Sequence, residues 1–337
     1  MKKRLLKNME WSILICTIIL IIIGMIALFS ATQSSGLEEF KKQGIWILIS
    51  IPIVIICIAT DYNTLVKASP VMYGIMILLL IAVLFTKSVN GAHSWFSLGI
   101  FSFQPSEFAK IVVILFMALI MSKIQKDDKD NISKPLQLLK ILAVLAVPLL
   151  LIIKQPDYGT AIAFVVATVL MLFTAGIRKR YIITGLILVV VAVPILYLYV
   201  LPEHAKTRID VFLNPELDPR GSGYNIIQSK LAIGSGEMFG MGLLKGNQTQ
   251  LGFLYPKTTD FIFAVIGEEQ GFIIAGAVII LYVILITKSI YVAKTAKDDV
   301  GSYIAIGIAG IFLFHMLENI GMTMGLLPIT RSTITIC

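Results

Sequence analysis

Residues 11–31 read WSILICTIILIIIGMIALFSA, twenty-one residues without one Asp, Glu, Lys or Arg. An α-helix needs about 20 mainly apolar residues to cross the hydrocarbon of a bilayer. The basic segment ahead of this run, Met1–Lys7, resembles the start of a secretory leader. The run is too long for the apolar part of a leader, and no small-residue cleavage pattern follows, so it is expected to stay as a first membrane helix.

Eight further stretches of the same character follow: 44–60, 70–86, 107–124, 137–154, 158–176, 181–201, 261–287 and 302–327. The chain is therefore predicted to be an all-α, polytopic membrane helix bundle with about nine transmembrane helices, residues 1–337 forming one integral membrane domain. Composition agrees: 57% of residues are hydrophobic and 14% charged, where a soluble domain keeps about a quarter charged. The net charge of +8 sits in short segments between apolar runs. That pattern points to membrane lipid and away from nucleic acid. Cys16 and Cys57 lie inside apolar runs and Cys337 is the last residue, so no metal-ligand or redox spacing is present.

Lys and Arg in short loops set orientation. With the N-terminus in the cytoplasm, fifteen of them fall inside (Lys2, Lys3, Arg4, Lys7, Lys67, Lys123, Lys126, Lys129, Lys134, Arg178, Lys179, Arg180, Lys288, Lys294, Lys297). Four fall outside (Lys41, Lys42, Lys87, Lys154). The long polar segment 202–259 is then an extracellular loop, and chemistry placed there draws on no cytosolic ATP. No nucleotide cofactor is expected.

Ionisable groups in membrane helices cost roughly 2.5–3.5 kcal/mol each, so each asks for a reason. Ser106 suits a helix cap, with Glu107 in the first turn and Lys110 three residues on, sharing its face. That arrangement serves either as a local ion pair or as an oriented cation near the outer surface. His93–Phe103, with Trp95, suits a segment lying in the interface. Asp157 follows Pro156 at a tight turn and suits a cap. Asp260 stands between the long loop and the eighth helix, where a cap would also explain it. Glu268 lies eight residues on, ~12 Å along a continuous helix axis. Glu268 and Glu269 are expected to find partners inside the bundle, and Gly267 and Gly271 to be helix-packing residues. His315, Glu318 and Asn319 share a face and read as a polar patch between helices. The long loop carries Lys206, Arg208, Arg220, Lys230, Lys245 and Lys257 with Gly-Ser-Gly at 221–223 and 234–236. Cations and exposed backbone amides at a membrane surface suit an anionic lipid head group such as a pyrophosphate.

Several longer motifs occur in order: Phe-Gln-Pro-Ser-Glu-Phe-Ala-Lys (103–110), Gln-Pro-Asp-Tyr-Gly-Thr-Ala (155–161), Arg-Ile-Asp-Val-Phe-Leu-Asn-Pro (208–215), Gly-Tyr-Asn-Ile-Ile-Gln-Ser-Lys (223–230), Thr-Asp-Phe-Ile-Phe (259–263) with Glu268-Glu269, and Asn-Ile-Gly-Met (319–322). Together they resemble the shape, elongation, division and sporulation (SEDS) family over about residues 11–330, and the runs at 214–219 and 224–228 resemble its elongation branch. The resemblance implies a peptidoglycan glycosyltransferase of the bacterial cytoplasmic membrane. Such an enzyme joins lipid II, a disaccharide–peptide carried on undecaprenyl pyrophosphate, into glycan strands on the outer face, with inversion. It implies Asp260 as the base and Arg208, Lys110 and Lys230 as holders of the pyrophosphates, helped by a divalent cation, Mg or Mn. Glu107 and Trp95 match further motif positions. A class B penicillin-binding protein, the cross-linking transpeptidase, is the implied partner. A lipid II flippase and a non-catalytic scaffold of the elongation machinery stand as alternatives.

The family pattern has ten spanning helices. After Thr330 it leads one to expect Gly-Leu-Pro-Leu-Pro-Phe, where this chain reads Arg-Ser-Thr-Ile-Thr-Ile-Cys (331–337). A one-base frameshift after Thr330 interconverts the two readings for one choice of codons and is the expected origin of this atypical tail.

Overall fold

The computed structural model describes residues 9–86, 93–98, 101–200, 203–219 and 221–328. The basic segment Met1–Lys7, Lys87, Arg220 and the tail 331–337 lie outside the described residues. Every predicted apolar stretch is helical over most of its described length. The helices are α1 Trp11–Thr32, α2 Glu38–Ala59, α3 Tyr62–Val83, α4 Pro105–Ile124, α5 Pro135–Lys154, α6 Tyr158–Thr174 and α7 Lys179–Ile195. The long polar segment holds α8 Glu203–Leu213, α9 Ser222–Ser235 and the single turn α10 Asn247–Gln250. Finally come α11 Ile262–Thr295 and α12 Asp299–Thr323. Seven helical spans among the described residues are long and apolar enough to cross a membrane, and α6 is a shorter apolar helix.

Several limits move for local reasons. The third helix begins at Tyr62, because the Asp61 side chain accepts from the Asn63 amide and caps it there. The second begins at Glu38 and carries Glu38 and Glu39 in its first turn, where acidic groups complement the helix dipole. The interfacial segment before α4 is a two-stranded hairpin, β1 Phe96–Leu98 and β2 Phe101–Phe103, with Phe96 opposite Phe103.

The chain divides into two compact units. One comprises Ile55–Pro194 and Ser289–Phe314. Its centre is α4, which buries Ala109, Val112, Val113, Ile114, Leu115, Met117, Ala118 and Met121. A helix apolar around its circumference is one enclosed by others, and α3, α5 and α6 pack on it. Gly307 lies where a Cβ would fall 2.9 Å from the Ile114 side chain and 3.1 Å from Met171 sulfur, so a small residue permits the close approach of α12.

The other unit comprises Met1–Val54, Ile195–Lys288 and His315–Cys337. It holds the long polar segment. No described side chain of α2 or α7 is buried. Rows of Ile, Leu and Val left uncovered along α2 and α7 are what lipid solvates.

Candidate functional site

In the first unit, helix α4 starts with Pro105 at its first position and Gln104 at the cap position. The expectation that Ser106 caps this helix is not met. Ser106 lies inside the first turn, fully buried, with its hydroxyl unpartnered. Pro fits that first position because its missing N–H would be unpaired there anyway. Lys110 Nζ meets Glu107 Oε1 at 2.9 Å, one turn apart, with Lys110 only 4% exposed.

Asp157, predicted as a cap, accepts from the Thr160 amide at 3.2 Å and begins α6. Its second oxygen accepts from Gln104 Nε2 at 2.9 Å, across 53 residues of sequence. Burial pushes the Asp157 carboxyl above the usual carboxylate range. Hydrogen bonds from Thr160 oppose the rise, Glu107 adds to it and Lys110 counters it. Gln104, Glu107, Lys110 and Asp157 therefore act on one another as one group. Trp95 is half-buried ahead of β1, and its carbonyl accepts from the Thr86 hydroxyl at 3.2 Å.

In the second unit, Asp260 is half-buried in the turn before α11. Phe261 occupies the cap position, since its carbonyl accepts from the Ala264 and Val265 amides at 3.0 and 3.3 Å. Asp260 thus precedes the cap and lies two residues before α11. The Phe261 amide closes the turn on the Pro256 carbonyl at 3.3 Å. Arg208 is half-buried on α8 and Lys230 is exposed on α9. Ser229 donates to the Thr323 carbonyl at 2.8 Å, which seats α9 on the end of α12, and the Lys230 side chain lies over Gly325.

Helix α11 is not continuous. Gly271 has φ 79° and ψ −179°, a conformation essentially confined to glycine. Gly271 packs as expected, since a Cβ there would lie 2.3–2.7 Å from the backbone of Met238, Phe239 and Gly240, and it also breaks the helix. Gly267 packs as well, its missing Cβ lying 3.3 Å from the Ile233 backbone. A break in a membrane helix frees backbone groups that lipid cannot satisfy. Segment 236–242 satisfies them: Met241 and Gly242 amides donate to the Glu268 and Glu269 carbonyls at 2.9 and 3.0 Å, and Phe272 and Ile273 amides donate to the Glu237 and Met238 carbonyls at 2.9 and 3.2 Å.

The two glutamates have partners that sequence reading did not anticipate. Glu268, 0% exposed, accepts from the Gln248 and Thr249 amides at 2.7 and 3.0 Å and from the Thr249 hydroxyl at 2.6 Å. Glu269 accepts from Gln250 Nε2 at 2.9 Å and the Gly246 amide at 3.4 Å. Lys257 donates to the Thr249 carbonyl at 2.8 Å and the Ser34 hydroxyl at 3.1 Å. Burial holds its ammonium below the usual lysine range, opposed by the charge of Glu269. Gly246 permits the approach to Glu268, since any Cβ there would fall 2.6 Å from a Glu268 oxygen. In α12, His315 Nδ1 lies 3.4 Å from Glu318 Oε2, while Asn319 Oδ1 has no partner.

No group of three or more His, Cys, Asp and Glu able to hold a metal occurs among the described residues. The chain offers no cage of its own for a divalent cation there.

The family model for FtsW, RodA and SpoVE, described as cell cycle protein, matches residues 10–335. Peptidoglycan glycosyltransferase MrdB of Escherichia coli (strain K12) is 36% identical over 325 residues, covering 96% of this chain and 86% of that one. Probable peptidoglycan glycosyltransferase FtsW of Trichlorobacter lovleyi is 36% identical over 328 residues, covering 94% and 84%. A chain from a solved structure described as "Structural coordination of polymerization and crosslinking by a peptidoglycan synthase complex" has a TM-score of 0.82 at 23% identity, covering 98% of this chain and 91% of that one.

Proposed function

The chain belongs to the family of FtsW, RodA and SpoVE and is a multi-pass membrane peptidoglycan glycosyltransferase; we propose that it polymerises lipid II into glycan strands for cell elongation, with Asp260 as the general base. The observation that carries this reading is the place of Asp260: half-buried, two residues before α11, at the end of a loop fastened on both sides.

Asp260 takes the proton of the acceptor sugar hydroxyl as that oxygen bonds to the donor's anomeric carbon. The bond from that carbon to the pyrophosphate breaks, undecaprenyl pyrophosphate departs with the electron pair, and the configuration inverts. A pyrophosphate needs little protonation to leave, so one base serves where a glycosidase uses two carboxyls. Such a base contributes about 10²–10⁴ in rate. Arg208 and Lys230 hold the pyrophosphates by charge-assisted hydrogen bonds; Lys110, in the other unit, is 4% exposed and ion-paired with Glu107. Trp95 anchors the segment ahead of the hairpin at the interface. A divalent cation would supply charge to offset the pyrophosphate, no group of three His, Cys, Asp or Glu among the described residues would hold it, and no step above runs through it. The transpeptidase partner is a class B penicillin-binding protein, a reading supported by the likeness to a chain of a peptidoglycan synthase complex.

The excess of Lys and Arg in alternate short loops supports a cytoplasmic N-terminus and an external 202–259. Ser222→Cys should react with an impermeant maleimide on intact cells; reaction only after lysis reverses the orientation.

The activity test supplies labelled lipid II to protein purified in detergent. The wild type should make glycan strands, and Asp260→Asn should insert and express normally yet make none. Near-normal strands from Asp260→Asn would reduce Asp260 to a turn residue. Transfer of lipid II across vesicles with no polymer would make the protein a flippase.

A further inference from the structure

We propose that Glu268 is a positioning residue for Asp260, acting through a strap formed by residues 246–257; the inference rests on Asp260 being the base. Glu268 accepts three hydrogen bonds from two consecutive residues, Gln248 and Thr249, and so fixes both the backbone and the side chain of the strap at that point. Gly246 lets the chain approach closely enough for this, since a Cβ there would meet the carboxylate. Gln250 extends the attachment to Glu269 and to the Ser30 hydroxyl, both at 2.9 Å.

The same Thr249 passes the constraint forward. Its carbonyl accepts from Lys257, which also binds Ser34. One residue before Lys257, the Pro256 carbonyl takes the Phe261 amide and closes the turn that carries Asp260. Ten residues lie between Thr249 and Asp260 along the chain. Left loose, such a segment would carry roughly 1–2 kcal/mol of backbone entropy per residue, and a base must be held close to its productive geometry. Removing this carboxylate leaves three donors without their acceptor, and no neutral side chain offers two acceptor oxygens free of a donor.

The test measures lipid II polymerisation by the purified protein in detergent for Glu268→Gln, Thr249→Val, Thr249→Ser and the double variant Glu268→Gln/Thr249→Val. Glutamine turns one acceptor into an NH2 group facing an amide, so Glu268→Gln should lower kcat about 10- to 100-fold with KM within about twofold. Thr249→Val should fall with it, Thr249→Ser should keep wild-type turnover, and the double variant should be no worse than its weaker parent, as for groups acting as one unit. A Glu268→Gln kcat within about twofold of wild type, a loss confined to KM, or equal damage from Thr249→Ser and Thr249→Val overturns the proposal.

Hydrogen exchange of segment 246–261 provides a second readout that needs no activity. Its amides should exchange faster in Glu268→Gln and Thr249→Val than in wild type, and unchanged protection overturns the strap. If wild-type protein polymerises nothing, the assigned activity fails, while exchange still decides whether Glu268 holds the segment.

Discussion

Asp157 and Glu268 are both carboxylates with almost no contact with solvent, 4% and 0% exposed. They are held in different ways. Asp157 is served first by its own helix, through the Thr160 amide, and Glu107 and Lys110 set the charge around it. Glu268 takes its partners from 19 and 20 residues away, and two of the three are backbone amides. Burying a carboxylate is costly unless it is paired or hydrogen-bonded. The cap that Asp157 makes on Thr160, three residues on, uses residue types at short spacing and shows in a sequence. The hold on Glu268 uses backbone, which every residue possesses, and leaves no compositional mark.

The comparison breaks most visibly at Gly271. Gly271→Ala puts a Cβ at φ 79°, within 2.7 Å of the Met238 carbonyl oxygen. Backbone strain of about 1–3 kcal/mol adds to that clash. The hydrogen bonds joining segment 236–242 to α11 should be lost with it, while the Asp157 group is untouched. Thermal unfolding in detergent should show a fall of several degrees, and a midpoint within about 1 °C of wild type would mean that the break is not required.

A smaller effect sharpens the other side. The raised pKa of Asp157 means that, just above its ordinary value of 3.8, the folded protein binds a proton the unfolded chain has released. Stability from this group therefore falls as pH rises through the folded pKa. Asp157→Asn keeps an acceptor for the Thr160 amide and removes the titration. Its unfolding midpoint relative to wild type should then climb as the pH is raised from about 4 through the folded pKa of Asp157. A constant difference across that range would show that Asp157 bears no net cost of burial.

How much was legible follows the same division. Apolar length located the helices, and errors gathered at ends such as Glu38 and Tyr62, where a few polar residues decide. Spacing exposed the Glu107–Lys110 pair and the Asp157 cap. It could not show the Gln104–Asp157 bond, whose partners meet only after α4 and α6 pack. Helices α8 and α9 were hidden because their sequences are polar. The break at Gly271 was hidden because a glycine that only packs and a glycine that also bends are written with the same letter, and only the positive φ tells them apart.

The break in α11 also bears on how this chain tolerates changes of length. Segment 236–250 has the composition of a surface loop, where insertions are ordinarily absorbed. Here two of its amides and two of its carbonyls pair with the backbone of a membrane helix on either side of Gly271, and its next turn is matched to a buried side chain. One added or deleted residue would slide every donor off its acceptor together. Loop length in this part of the molecule is therefore quantised, as register is between two strands of a sheet.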